Sequence, residues 1–167
     1  MIAGFSAEPG MGVIPMARPD SLVVFTMDAQ RYAIPLASVE RVFPTVEITP
    51  IPKAPEIVLG VVNIQGRVVP VVDIRRRFRL PEREPEIYDH MIVASTGKRV
   101  VAFVVDGATG VLEIPESEIT ALRDLLPGTN YVEGVVRLPD GLILIHDLET
   151  FLSLEEENLL ERAMSES

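Results

Sequence analysis

Residues 60–74, GVVNIQGRVVPVVDI, and residues 134–148, GVVRLPDGLILIHDL, are one pattern written twice. Without a gap, Gly60 falls on Gly134, Val61 on Val135, Val62 on Val136 and Asp73 on Asp147. Ile64, Val69 and Ile74 fall on Leu138, Ile143 and Leu148. Each block is an apolar run, a polar turn, a second apolar run and an Asp-apolar stop, which is the signature of a β-hairpin. A repeat at fixed spacing implies two related units. Their function would then lie in surfaces and in the seam between them.

The repeat extends backwards more loosely. Leu22 to Phe25 and Ile92 to Ala94 open the two halves as short β-rich runs. Residues 30–35 pair with 97–105, the turn 28–30 with 95–97, and Ile48-Thr49 with Ile119-Thr120. Strands are expected at 22–27, 31–36, 57–63 and 67–74, then at 91–95, 99–106, 109–114, 131–137 and 141–147. Ala37 to Val42 has room for one helical turn, as does Pro115 to Glu118; Pro127 to Asn130 reads as a loop. Pro44, Pro50, Pro52 and Pro55 exclude a helix or central strand over 43–56, leaving an extended connector across a barrel mouth. Pro70 requires a strand position whose missing N–H faces no partner. Asp73 and Asp147, at equivalent strand ends, are placed to cap a turn or a helix start.

The chain ends differently. Ser153 and Glu156 form a capping box, and Leu152, Leu159, Leu160 and Ala163 follow at helical spacing. A short amphipathic helix is expected within about 147–164, its acidic start at Glu155 to Glu157 suiting the positive helix end. The plain role for it is packing against the barrels.

Composition narrows the function. The 167 residues are 47% hydrophobic and 24% charged, with no cysteine, so the chain is globular and has no disulfide or thiolate chemistry. A net charge of −10 runs against nucleic-acid binding, whose affinity rests on cationic contacts to phosphate. The one basic cluster, Arg75, Arg76, Arg77, Arg79 and Arg83, reads as a solvated segment offset by Glu82, Glu84 and Glu86. Its functional alternative is a patch for an acidic protein partner. No run reaches the roughly 18 apolar residues of a membrane span, so no membrane insertion is expected. Residues 1–20 begin without a basic, apolar leader and read as a flexible N-terminal tail. No catalytic residue, metal ligand set or cofactor motif emerges. His146 and Asp147 are neighbours in a β-run and point to opposite faces. Neither His90, Ser38 nor Ser95 has an evident chemical partner. An enzyme is not expected.

Short strands, frequent turns and little helix give the fold class: all-β, two pseudo-repeated SH3-like five-stranded β-barrels sharing a hydrophobic seam, with a short C-terminal α-helix. The expected organisation is a single domain over 21–164, built from two interleaved barrel subdomains at about 21–80 and about 87–150. Residues 75–89 would form the crossover.

FTMDAQRYAIPLASVERV, followed by ITPIPKAPEIVLGVVNIQGRVVPVVDIRRRF, resembles the CheW family. GKRVVAFVVDGATGVLEIP, YVEGVVRLPDGLILIHDLETFL and the LSLEEENLLERA tail extend the resemblance over about residues 21–164. It implies a non-catalytic, cytoplasmic adaptor recruited to membrane receptor arrays, without cofactors. The partners it implies are the regulatory domain of a CheA-type histidine kinase, itself of the same fold, and the cytoplasmic helical hairpin tip of a chemoreceptor. Carried over by motif, Val39, Gln65, Gly66 and Arg67 belong to a receptor groove. Arg41, Val42 and Phe43 are assigned to the kinase contact, while Gly60, Asn63, Pro70, Asp73, Gly134 and Asp147 are structural turn or strand-end positions. One departure matters: the family's usual arginine is Gln65 here, with Arg67 two residues on. An amide cannot make the forked contact of a guanidinium. The different-class alternative is a signal- or ligand-sensing barrel pair that regulates a kinase in trans outside chemotaxis.

Overall fold

A computed structural model describes residues 2–3, 21–121 and 132–165. In chain order the elements are β1 (Ile2–Ala3), β2 (Ser21–Met27), β3 (Gln30–Pro35), β4 (Val39–Pro44), β5 (Val58–Ile64), β6 (Arg67–Val72) and α1 (Ile74–Arg77). Then come β7 (His90–Ser95), β8 (Val100–Val105), β9 (Gly107–Glu113), β10 (Ile119–Ala121), β11 (Val132–Leu138), β12 (Gly141–His146) and α2 (Leu154–Ser165). Single 3-10 turns occupy Leu36–Ser38, Glu116–Glu118 and Leu148–Thr150. Among the described residues, no helix is long and apolar enough to cross a membrane.

The strands make two small barrels. One sheet runs β1-β9-β2-β3-β12-β11-β10, the other β4-β7-β8-β6-β5. These sheets do not coincide with the two halves of the sequence. The first hairpin, β2–β3, joins strands of the second half, and β7–β8 joins strands of the first. β3 pairs in parallel with β12, as β8 does with β6, so the exchange is reciprocal. The chain changes sheets at the Leu36–Ser38 turn and again at Asp106, rather than across 75–89.

Burial shows why the exchange is stable. In β2, Leu22 and Val24 face the interior of one barrel, while Val23, Phe25 and Met27 face the shared core. In β7, Met91 and Val93 fill the other barrel, while Ile92 and Ala94 face the same shared core. Strands buried on both faces read as unbroken apolar runs, as LVVF and MIVA do. Phe25 and Phe103 meet across the seam with ring centroids 5.7 Å apart, and Phe103 packs edge-on against Phe151 at 5.5 Å. All three rings are fully buried.

The two repeated hairpins share their local details. Each has a register shift beside its glycine, at Val58/Gly60 and at Val132/Gly134. Thr49 exchanges backbone hydrogen bonds with Val61 at 2.9 and 2.8 Å, as β10 pairs with β11. A Cβ on Gly60 would lie 2.3 Å from the Thr49 carbonyl oxygen, and one on Gly134 would lie 2.8 Å from Ile119. Both glycines therefore admit the Ile-Thr segment that the repeat aligns. Asp73 Oδ1 accepts from the Arg76 amide at 3.1 Å and Asp147 Oδ1 from the Glu149 amide at 3.0 Å, so both cap a following turn. Ladder alternation counted from the Ile64–Arg67 pair puts Pro70 at a non-hydrogen-bonded site toward β5. Pairing with β8 begins only at Val71, so the absent N–H costs nothing.

Several expectations need correction. Ile2–Ala3, assigned to the tail, form an edge strand on Val111 and Leu112. The rest of that tail and the 127–130 loop lie outside the described residues. Of the 37–42 stretch expected to turn, only Ala37 and Ser38 do, within the Leu36–Ser38 turn; Val39 onward is strand, as its β-branched residues favour. The C-terminal segment is a 3-10 turn followed by α2, whose capping box closes with Ser153 N to Glu156 Oε1 at 2.8 Å and Glu156 N to Ser153 Oγ at 3.1 Å. Its buried stripe is Glu157, Leu160 and Ala163, whereas Leu159 is exposed. Glu157 is tolerated there because Arg99 Nε donates to it at 2.8 Å.

The arginine cluster is the largest correction. Arg75 is buried and reaches Asp28 at 2.8 Å, Asp106 at 2.7 Å and the Pro81 carbonyl at 3.1 Å. Arg83 grips buried Asp89 through both nitrogens, at 3.0 and 2.9 Å, and meets Asp106 at 2.6 Å. Arg77 binds the Phe151 carbonyl at 3.0 Å and Glu156 at 2.5 Å. Only Arg76 and Arg79 are exposed. Burial works to raise the Asp106 carboxyl, but the Asp28 amide, Arg75 and Arg83 outweigh it and hold it below the usual carboxylate range. The segment fastens the two barrels together across the seam.

Candidate partner-binding surface

The β5–β6 hairpin closes through Gln65 and Gly66, both at positive φ, 51° and 84°. Two-residue hairpin turns favour that geometry because it matches strand twist. Asn63 Oδ1 accepts from the Gly66 amide at 2.8 Å and braces the loop. A Cβ on Gly66 would meet nothing within 4 Å, so glycine is there for its φ and not for space.

The tip lies over the start of β4. Arg41 Nη2 donates to Gln65 Oε1 at 2.5 Å, and Arg67 Nη2 donates to Glu40 Oε1 at 3.0 Å. Both pairs are exposed, so each adds little to stability. What they do is fix the direction of two guanidinium groups. Gln65 supplies no charge of its own, but Arg41 brings one to its amide. Arg67 carries a second, shared with Glu40. Val68, 55% exposed, follows Arg67 in β6 and so points to the opposite face of the hairpin. Its repeat partner Leu142 is also exposed, at 46%, so both hairpins show an apolar residue at the same place.

The structure thus joins residues that the sequence reading assigns to different partners. Gln65, Gly66 and Arg67, from the receptor set, form one patch with Arg41 from the kinase set. Val39 is not part of that surface: it is 7% exposed and packs in the shared core. Val42 and Phe43 are half-buried, the first against the seam and the second against the barrel interior. Glu40 and Val68 were missed. Val68 was legible in principle, since it aligns with Leu142; Glu40 shows its role only through the fold. Among the described residues, no group of His, Cys, Asp and Glu is placed to hold a metal ion.

Residues 21–156 match the CheW-like domain family. The chain is 30% identical over 144 residues to the chemotaxis protein CheW of Klebsiella aerogenes, covering 83% of this chain and 85% of that protein. It is 28% identical over 137 residues to the chemotaxis protein CheW of Rhizobium meliloti, covering 81% and 88%. The crystal structure of the scaffolding protein TtCheW from Thermoanaerobacter tengcongensis superimposes with a TM-score of 0.75 at 27% identity, over 83% of this chain and 96% of that one.

Proposed function

This chain belongs to the CheW family, and from that membership we propose that it is a non-catalytic adaptor coupling chemoreceptors to a CheA-type histidine kinase. The hairpin-tip patch carries this reading. Arg41 on Gln65 and Arg67 on Glu40 present two directed cations at an exposed hairpin tip. Arginine is enriched in protein contacts and among the residues that dominate their energy. The receptor's helical hairpin tip would lie against the Gln65–Gly66 turn, with Arg67 and Arg41 pairing its polar groups. The kinase regulatory domain would approach along β4, past Arg41 and the half-buried Val42 and Phe43. The protein would act in the cytoplasm at receptor arrays.

The test is a titration of a receptor cytoplasmic fragment and, separately, of the kinase regulatory domain. Arg67→Ala should weaken receptor binding about tenfold, the value of one charge-assisted hydrogen bond at 1.5 kcal/mol or slightly less. Adding Gln65→Arg should recover most of the loss. Arg41→Glu should weaken kinase binding with an unchanged melting temperature. If all three variants bind both partners like the parent, the patch is not the coupling surface.

A further inference from the structure

On the same barrel lies a groove that neither the hairpin tip nor β4 explains. It is about 550 Å³, a volume typical of ligand-binding clefts, and runs between the proline-rich connector and the 84–87 stretch of the β6–β7 connection. Ile48, Leu59 and Pro85 line it. Its walls carry two exposed apolar side chains, Val46 at 43% and Ile87 at 80%. Tyr88, next in the chain, is 79% exposed. Apolar side chains this open to water mark a surface that another molecule covers.

The charges around the groove select the occupant. Glu47, Glu84 and Glu86 line it, and no lysine or arginine does. Glu86 is within 3.4 Å of Arg83, but that guanidinium is already committed to Asp89 and Asp106. Glu47 and Glu84 have no ion pair among the described residues. A cleft with apolar walls and one sign of charge attracts the opposite sign and repels its own. A second copy of this chain, with net charge −10, is disfavoured by the same field.

We propose that this groove docks a cationic amphipathic segment of a partner protein, its apolar side chains against Ile48, Leu59 and Ile87 and its Lys or Arg residues on Glu47 and Glu84. The assignment deepens the adaptor reading by adding a surface distinct from the hairpin tip, with the opposite charge preference. One protein would then hold two partners by complementary electrostatics: cations at the tip and carboxylates at the groove.

The experiment uses the full chain and a 14-residue Lys/Leu peptide with its leucines on one helical face. Its controls are the Glu/Leu counterpart and a scrambled Lys/Leu peptide of equal composition. Binding is read by calorimetry at low and at physiological salt. The amphipathic cationic peptide should bind and weaken with salt, while the two controls should bind at least tenfold more weakly. Glu47→Lys/Glu84→Lys and, separately, Ile87→Ser should each reduce its affinity roughly tenfold, with melting temperatures near that of the parent. All three positions are at the surface, so the variants should fold. Equal affinity for parent and variants, or equal affinity for the scrambled peptide, would overturn the assignment. So would a parent dimer that Ile87→Ser dissociates, because the occupant would then be a second copy. Receptor and kinase titrations with these variants keep the two proposals separate: absence of peptide binding by the parent refutes only the groove, while the tip is refuted only by tip variants that bind receptor and kinase like the parent.

Discussion

Replacing Arg75 by alanine should cost about 2–3 kcal/mol of stability, for reasons that the geometry makes explicit. The guanidinium is 9% exposed and holds three acceptors: Asp28, Asp106 and the Pro81 carbonyl. Removing one partner of a fully buried ion pair costs about 3–5 kcal/mol, because the other charge is stranded. Here the carboxylates are partly relieved. Asp28 is 38% exposed and Asp106 27%, and Asp106 keeps Arg83 at 2.6 Å. A cost at or just below that range, about 2–3 kcal/mol, therefore applies, equivalent to roughly 5–10 °C in melting temperature for a chain of this length. Circular dichroism is the assay, since the chain has no tryptophan. The pH dependence supplies a second check. The Asp106 carboxyl is held below its ordinary value in the fold, so its stabilisation is complete above about pH 4 and is lost as pH falls through the folded value. The gap between parent and Arg75→Ala should then narrow below about pH 3.5. A shift under about 2 °C at neutral pH, or a gap that persists in acid, would show that the arginine is solvated and does not fasten the seam.

Other substitutions separate the roles of single positions. Gly60→Ala should destabilise by about 3 kcal/mol, since its Cβ would sit 2.3 Å from the Thr49 oxygen. Gly66→Ala, with open space around it, should cost only the φ strain, about 1–2 kcal/mol; urea denaturation should rank the two in that order. Ser153→Ala should remove the helix cap, at about 1 kcal/mol, and lower the helical signal. Arg99→Ala should free α2, because Arg99 holds Glu157 at 2.8 Å and Glu161 at 2.6 Å. Hydrogen exchange should then rise in 154–165 while the β7–β8 amides stay protected.

What could be read without the fold was local. The 60–74 and 134–148 hairpins, the Asp73 and Asp147 caps and the Ser153–Glu156 box each follow from spacings of a few residues. Apolar alternation and turn chemistry act over that range whatever the rest of the chain does. Even the seam left a trace, since LVVF and MIVA are apolar on both faces. Which face meets which partner was not legible. A hairpin packed in its own half and one exchanged with the other half carry the same local pattern, so the interleaving belongs to tertiary structure. The arginines show the same limit. Charge composition placed Arg75 in solvent, because its carboxylates are distant in sequence: Asp28 lies 47 residues before Arg75, and Asp106 lies 31 after it. Val39 and Arg41 are two residues apart in β4, yet one is core and the other reaches Gln65. A register shift between Val39 and Arg41 in the β4–β7 pairing decided that division: on an unbroken strand residues two apart share a face, and the bulge turns Val39 to the seam while Arg41 reaches the hairpin tip.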